Sequence, residues 1–197
     1  MIPADIDPES RCRLPLPRRE EMDELGRQLF DRATDPKGGT IRGLKGPSGI
    51  QLHSPRLAQH ASPLNRYLRY EAGFSGRVRE VAILTTAREC DSRFEWAAHE
   101  PAALKEGIPQ SLIEIIKHRR SVAGLDAADA NIIELGREIF GARKVRPETY
   151  ARAEKQFGRR GLVDLVSLMA NYAGTAAILT AFDMQLDEGT TALLPVG

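Results

Sequence analysis

Two side chains capable of acid–base chemistry, Glu95 and His99, stand four residues apart in the stretch Glu89 to Gly107, ECDSRFEWAAHEPAALKEG. On a helix, positions i and i+4 lie one above the other on the same face, so a carboxylate and an imidazole at this spacing meet through local geometry alone. An isolated pair of this kind on a surface contributes only about 0.2–0.5 kcal/mol to a helix. The company of this pair points to more. Phe94, Trp96, Ala97, Ala98 and Leu104 make the segment largely apolar, and an acid and a base in an apolar pocket have displaced proton affinities. Imidazole is also the usual general acid or base near neutral pH. Pro101 removes one backbone hydrogen bond and crowds the carbonyl of Ala97, which predicts a kink or break beside His99. The order ExxxH is the reverse of the HExxH zinc arrangement, so no metal is expected.

Four further residues are candidate substrate contacts. His53 closes a glycine-rich stretch just before Ser54 and Pro55; it is either a loop histidine or a second imidazole folded over the pocket. Arg77 belongs to the group Arg77, Arg79 and Glu80, which reads either as a solvated helix start or as a source of an arginine for a carboxylate-bearing substrate. Tyr172, with Asn171 and Gly174, interrupts a long apolar helix, and its hydroxyl needs a partner in a neighbouring helix or a ligand. Trp96 lies within the acid–base segment itself. His60 and His118 sit in polar surroundings and read as surface residues.

The elements that would position these groups are helical throughout. Apolar residues recur at helical spacing from Pro17 to Ala33, from Ser54 to about Gly73, from Val78 to Ala87, through the Glu95 segment to Gly107, from Ile108 to Arg119, from Asp126 to Phe140, from Pro147 to about Gly158, and from Gly161 to Met184. No segment alternates with period two. The expected fold is an all-α helical bundle of about seven or eight helices, with the inner face of the Ser54 helix formed by Leu57, Leu64 and Leu68. Residues 34–54, rich in Gly and Pro, read as one long loop of the lid or docking kind, and their glycines do not form a P-loop. The organisation expected is an N-terminal arm, first helix and loop over 1–53, a helical core over 54–186, and a tail over 187–197.

Composition excludes several classes. Lys and Arg number 28 against 27 Asp and Glu, a formal net charge of +1, so no global field favours nucleic acid. The two cysteines, Cys12 and Cys90, form no CxxC or metal spacing, and the N-terminus lacks the apolar core of a signal peptide, which fits a reduced, cytoplasmic protein. The uncharged run Leu165 to Phe182 sits at the lower edge of membrane-spanning length. Its Ser167, Asn171, Tyr172, Thr175 and Thr180 favour a buried helix of a bundle instead, so no membrane is expected.

The run ECDSRFEWAAHEPAALKEGI, followed by NYAGTAAILTAF, resembles the carboxymuconolactone decarboxylase and alkylhydroperoxidase D-like superfamily. Redox members carry ExxCxxCxxxH; laid on this chain, the glutamate falls on Glu89, the histidine on His99 and the two cysteines on Ser92 and Glu95. Both redox cysteines are absent, and a disulfide-cycling peroxidase needs a thiolate and a resolving thiol. The decarboxylase-like branch carries a glutamate four residues before the histidine, as Glu95 stands before His99, and a YAG motif like Tyr172 to Gly174. The resemblance implies a homo-oligomer, trimer or hexamer, with pockets near subunit contacts and with no cofactor. The resemblance does not carry the substrate over; the expected activity is that of a carbon–carbon lyase of the kind used in aromatic catabolism, acting on a small-molecule substrate such as a carboxylated lactone or similar carbonyl compound. In that reading His99 is the proton donor and Glu95 orients and charges it. Two alternatives stand beside it: a peroxidase using Cys90 alone, and a non-enzymatic helical oligomer that binds a ligand.

Overall fold

Eight helices succeed one another along the described part of the chain: α1 (Glu24–Thr34), α2 (Pro47–Leu52), α3 (Pro55–Arg66), α4 (Gly76–Glu89), α5 (Arg93–Lys105), α6 (Gln110–Lys117), α7 (Ala127–Gly136) and α8 (Pro147–Ala181). The structure is a computed structural model that describes residues 3–37, 42–190 and 194–195; among the described residues there is no strand. The fold is all-α, as the periodicity predicts. Local chemistry sets the helix starts. The Asp23, Ser75 and Asp126 side chains each accept a hydrogen bond from a backbone N–H of the first turn, and Pro47, Pro55 and Pro147 stand at or next to the first helical position, where a missing N–H costs nothing.

The core forms around α4. From Glu80 to Arg88 every residue is buried, because α5, α6, α7 and α8 all pack against this one helix. Val81, Ile83 and Leu84 meet Trp96, Ile113, Ile132, Ile133, Leu165 and Leu168 in a single cluster, each such side chain contributing roughly 1.5–3 kcal/mol by leaving water. The close crossing of α4 and α7 depends on Gly136, where a Cβ would stand 2.6 Å from Thr85 Cγ2. α8 is broken at Gly158, whose φ of 68° lies in the left-handed region that glycine enters without penalty. The two helices read from the sequence on either side of that glycine are therefore the two arms of one bent element. By length and composition α8 is apolar enough to cross a membrane; one of its faces, with Leu165, Leu168, Met169 and Tyr172, is buried in the core.

Several local readings need correction. The first helix begins at Glu24, because Arg19–Glu21 form a separate 3-10 turn and Asp23 caps α1. Residues 34–54 are not a continuous loop: Pro47–Leu52 form α2, and residues 38–41 lie outside the described part. Leu57 and Leu64 point outward, 51% and 50% exposed, while Ala58 and Leu68 face inward. Pro101 does not break α5, which runs on to Lys105. The irregular N-terminal arm packs against the bundle: Arg13 N–H donates to Phe182 O, Gln185 N–H donates to Arg11 O, and Cys12 is buried with Ile50, Phe94 and Leu179.

Candidate functional site

α4 and α5 run side by side and bring Glu80 of one helix to His99 of the other. His99 Nδ1 lies 2.7 Å from Glu80 Oε2, and the second carboxylate oxygen of Glu80 accepts from Arg79 Nε at 3.1 Å. Burial alone raises the proton affinity of Glu80; the hydrogen bond and charge of His99, and those of Arg79, outweigh it and hold the carboxyl below its ordinary range. An ionised carboxylate only accepts hydrogen bonds, so Nδ1 of His99 carries the proton and donates. The other ring nitrogen, Nε2, is the one turned away from Glu80.

Nε2 faces Glu95, one turn earlier on α5, at 3.6 Å from Oε2. Glu95 is in the opposite condition to Glu80. It is 4% exposed, and burial pushes its carboxyl upward against the opposing charges of His99, Arg69 and Arg42. One imidazole, 2% exposed, thus stands between a charged carboxylate and a carboxyl whose neutral form is favoured. The Tyr172 ring meets the His99 ring edge-on with centroids 5.1 Å apart, and burial raises the phenol well above its ordinary range, so it remains an O–H donor.

These groups open onto a cavity of about 940 Å³, within the range of small-molecule sites. Glu95, His99 and Phe94 line it from α5, Asn171, Tyr172 and Thr175 from α8, and Ala58, Ala61 and Asn65 from α3. The remaining wall comes from the N-terminal part of the chain: Leu29 and Arg32 of α1, Gln51 and Leu52 of α2, and Arg42. Arg42 lies over the Phe94 ring, 5.3 Å from its centroid, and pairs with Asp187 of the tail. The described part of the glycine-rich stretch is therefore a wall of the cavity. A widened, π-helical turn, Tyr67–Glu71, extends α3 and carries Arg69 into the lining; such turns recur at functional sites.

Of the sequence-derived candidates, the structure brings Glu95, His99 and Tyr172 together. Trp96, on the same helix, faces away; it is fully buried, and its indole N–H donates to Glu100 while Lys117 lies over its ring. Arg77 is held outside the cavity by Asp129, with 2.6 Å between Nη2 and Oδ2. His53 bonds through Nε2 to the Pro15 carbonyl on the arm, at 2.9 Å, and does not reach the pocket. Glu89, which the family register aligns with the redox glutamate, pairs with Arg119 instead. The glutamate that hydrogen-bonds to His99 is Glu80. Its helix-start position among arginines suggested a solvated surface, yet it is 1% exposed.

The described residues thus form an all-helical fold in which Glu80, His99 and Glu95 stand together, buried, at a partly cationic cavity. No family model, curated protein or solved structure matches the chain. Among the described residues no group of His, Cys, Asp and Glu is arranged to hold a metal ion.

Proposed function

We propose that this protein is a cofactor-independent acid–base enzyme, decarboxylase-like in its chemistry, acting on a small carboxylated lactone or related carbonyl compound. The observation that carries this reading is the pairing of opposite environments on one imidazole. Glu80 fixes the ring through Nδ1, while Glu95 is a buried carboxyl, pushed upward by burial, that stands 3.6 Å from Nε2.

In the proposed reaction the substrate loses CO2 from a carbon next to an unsaturated carbonyl, and the electron pair of the broken bond passes into an enolate. The site then has to stabilise that charge and protonate one carbon. His99, charged at Nε2 by the Glu95 proton and held by the Glu80 carboxylate, is the donor; Glu95 is reprotonated from solvent afterward. The Tyr172 O–H is a donor for the enolate oxygen. This shifts the orienting role from Glu95, where the spacing first assigned it, to Glu80, and makes Glu95 the proton store.

The test is CO2 release across a set of carboxylated lactones and β,γ-unsaturated keto acids. On any substrate that turns over, His99→Gln and Glu95→Gln are expected to lose roughly 100-fold or more in kcat, the usual size of a general acid–base contribution. Full turnover by either variant would refute the assignment. A thiol peroxidase is less well supported: burial and the neighbouring Glu89 and Asp91 carboxylates push the Cys90 thiol up, away from thiolate. The proposal includes the homo-oligomer, trimer or hexamer, which sedimentation or light scattering on the full chain would test.

A further inference from the structure

Arg69 stands apart from the other cations of the cavity. It is 9% exposed, it lines the cavity with Glu95, His99 and Tyr172, and its Nε is buried with no hydrogen-bond partner among the described residues. The neighbouring arginines are engaged. Arg79 bonds to Glu80 and Glu106, Arg42 pairs with Asp187, and Arg66 pairs with Glu71. Among the described residues Arg69 forms no such ion pair; its guanidinium lies over the Tyr70 ring, 4.9 Å from the centroid. The Arg69 carbonyl accepts from Arg79 Nη1 at 3.2 Å, which ties its backbone to α4. A buried guanidinium with an unsatisfied N–H is costly unless something pairs with it, and a held, planar fork is suited to a carboxylate.

We propose that Arg69 is the anchor for a carboxylate of the bound ligand, seating it at the inner end of the cavity beside Glu95 and Tyr172. This assignment rests on the acid–base reading of the same site for its functional meaning and on Arg69 itself for its chemistry. Arg32 and Lys37 reach the lining only from exposed positions, so Arg69 is its one buried guanidinium among the described residues, and a single buried positive charge fits a carboxylate monoanion better than a phosphate dianion. An ion pair to a departing carboxylate would stabilise the ground state and slow its loss, so the group held by Arg69 is one that stays on the ligand through the reaction. The ligand class is therefore a carbonyl compound bearing a retained carboxylate, with its reacting carbon toward His99.

The experiment compares binding of matched pairs to the full chain by calorimetry and ligand-observed NMR: acetate, benzoate, succinate and γ-butyrolactone-γ-carboxylate, each against its uncharged methyl ester. At least one acid is expected to bind tenfold or more tightly than its ester. Arg69→Met is expected to abolish that preference and Arg69→Lys to keep part of it, with folding of each confirmed by circular dichroism. Should Arg69→Met fail to fold, the Arg69 Nε–H resonance of the native protein, assigned by its loss in Arg69→Lys, is expected to shift on titration with the acid and not with the ester. No acid-over-ester preference for any pair, a preference that survives Arg69→Met, or an unmoved Nε–H resonance would overturn the proposal. Glu95→Gln and His99→Gln are expected to retain the preference, so the anchor and the acid–base assignment fail separately.

Discussion

Replacing Glu80 by glutamine tests the core of this reading without any substrate. In the native protein one carboxylate oxygen accepts from Arg79 Nε and the other from His99 Nδ1. Arginine can only donate, so in Glu80→Gln the amide oxygen is claimed by Arg79 and the amide NH2 is turned toward Nδ1. Two donors then face each other unless the imidazole moves its proton to Nε2. The expected result is a change of tautomer, from Nδ1–H to Nε2–H, which long-range proton–nitrogen correlation spectra read directly. The energetic cost is that of one buried hydrogen bond to a charged group, about 1.5–3 kcal/mol. For a chain of this length that corresponds to a melting temperature lower by roughly 3–12 °C. Because the Glu80 carboxyl is held below its ordinary value of 4.5, its stabilisation is present above that pH and is lost as pH falls through the folded-state value. The gap between native and variant melting temperatures should close in acid. A variant that keeps the Nδ1–H tautomer and melts with the native protein at neutral pH would refute the reasoning.

Glu95→Gln is expected to act in the opposite sense, stabilising the fold by about 0.5–2 kcal/mol at neutral pH while removing activity, as happens where a site retains an unfavourable group for function. The Glu95 carboxyl is raised from 4.5, so the native protein loses stability relative to the variant as pH rises from that value toward the raised one; thermal melts across pH would show the gap widening and then levelling, and a constant gap would count against it. Gly136→Ala should destabilise by about 1–2 kcal/mol in denaturant melts, because overpacking against Thr85 exceeds the gain in helix propensity. Thr85 cannot simply rotate away, since its hydroxyl is tied to the Val81 carbonyl at 2.7 Å. His53→Gln and Arg77→Ala, both outside the cavity, are expected to leave ligand affinity within about twofold in calorimetry, since surface changes away from a site cost little; a larger loss would place either residue in the site.

The all-α fold was legible because burial in a bundle leaves a 3.6-residue period, and Glu95 with His99 was legible because i,i+4 neighbours meet without tertiary information. Glu80 was not, since its meeting with His99 depends on how α4 packs on α5, and an acid directly after Arg77 and Arg79 at a helix start has the local signature of a solvated surface. Arg69 was hidden for a related reason: nothing in YLRYE announces a widened turn that carries an arginine inward. Leu57 and Leu64 misled because the inner face of α3 is a cavity wall. Ala58, Ala61, Ser62 and Asn65 line that cavity, so the small and polar side of the helix faces in and the rule that leucines mark the core inverts.

In the resemblance carried by the sequence, Glu95 stands where redox members have a cysteine, and the surroundings of that position say what such an exchange would accomplish. A peroxidatic thiol needs surroundings that favour its anion. Here burial disfavours the anion of whatever acid stands there, and the nearest cations, Arg69 and Arg42, do not reverse it. Burial shifts a carboxyl in such a place toward its neutral form, so that it holds its proton to higher pH than an exposed glutamate does. The second carboxylate, Glu80, lies across the same ring in a site where Arg79 and His99 overcome burial. Pairs of titratable groups whose surroundings push their proton affinities apart are how acid and base roles are divided within one site. The division requires both glutamates, so Glu80→Gln combined with Glu95→Gln should cost little more in turnover than the worse single variant. Fully multiplicative losses would mean that the two carboxylates act on His99 independently.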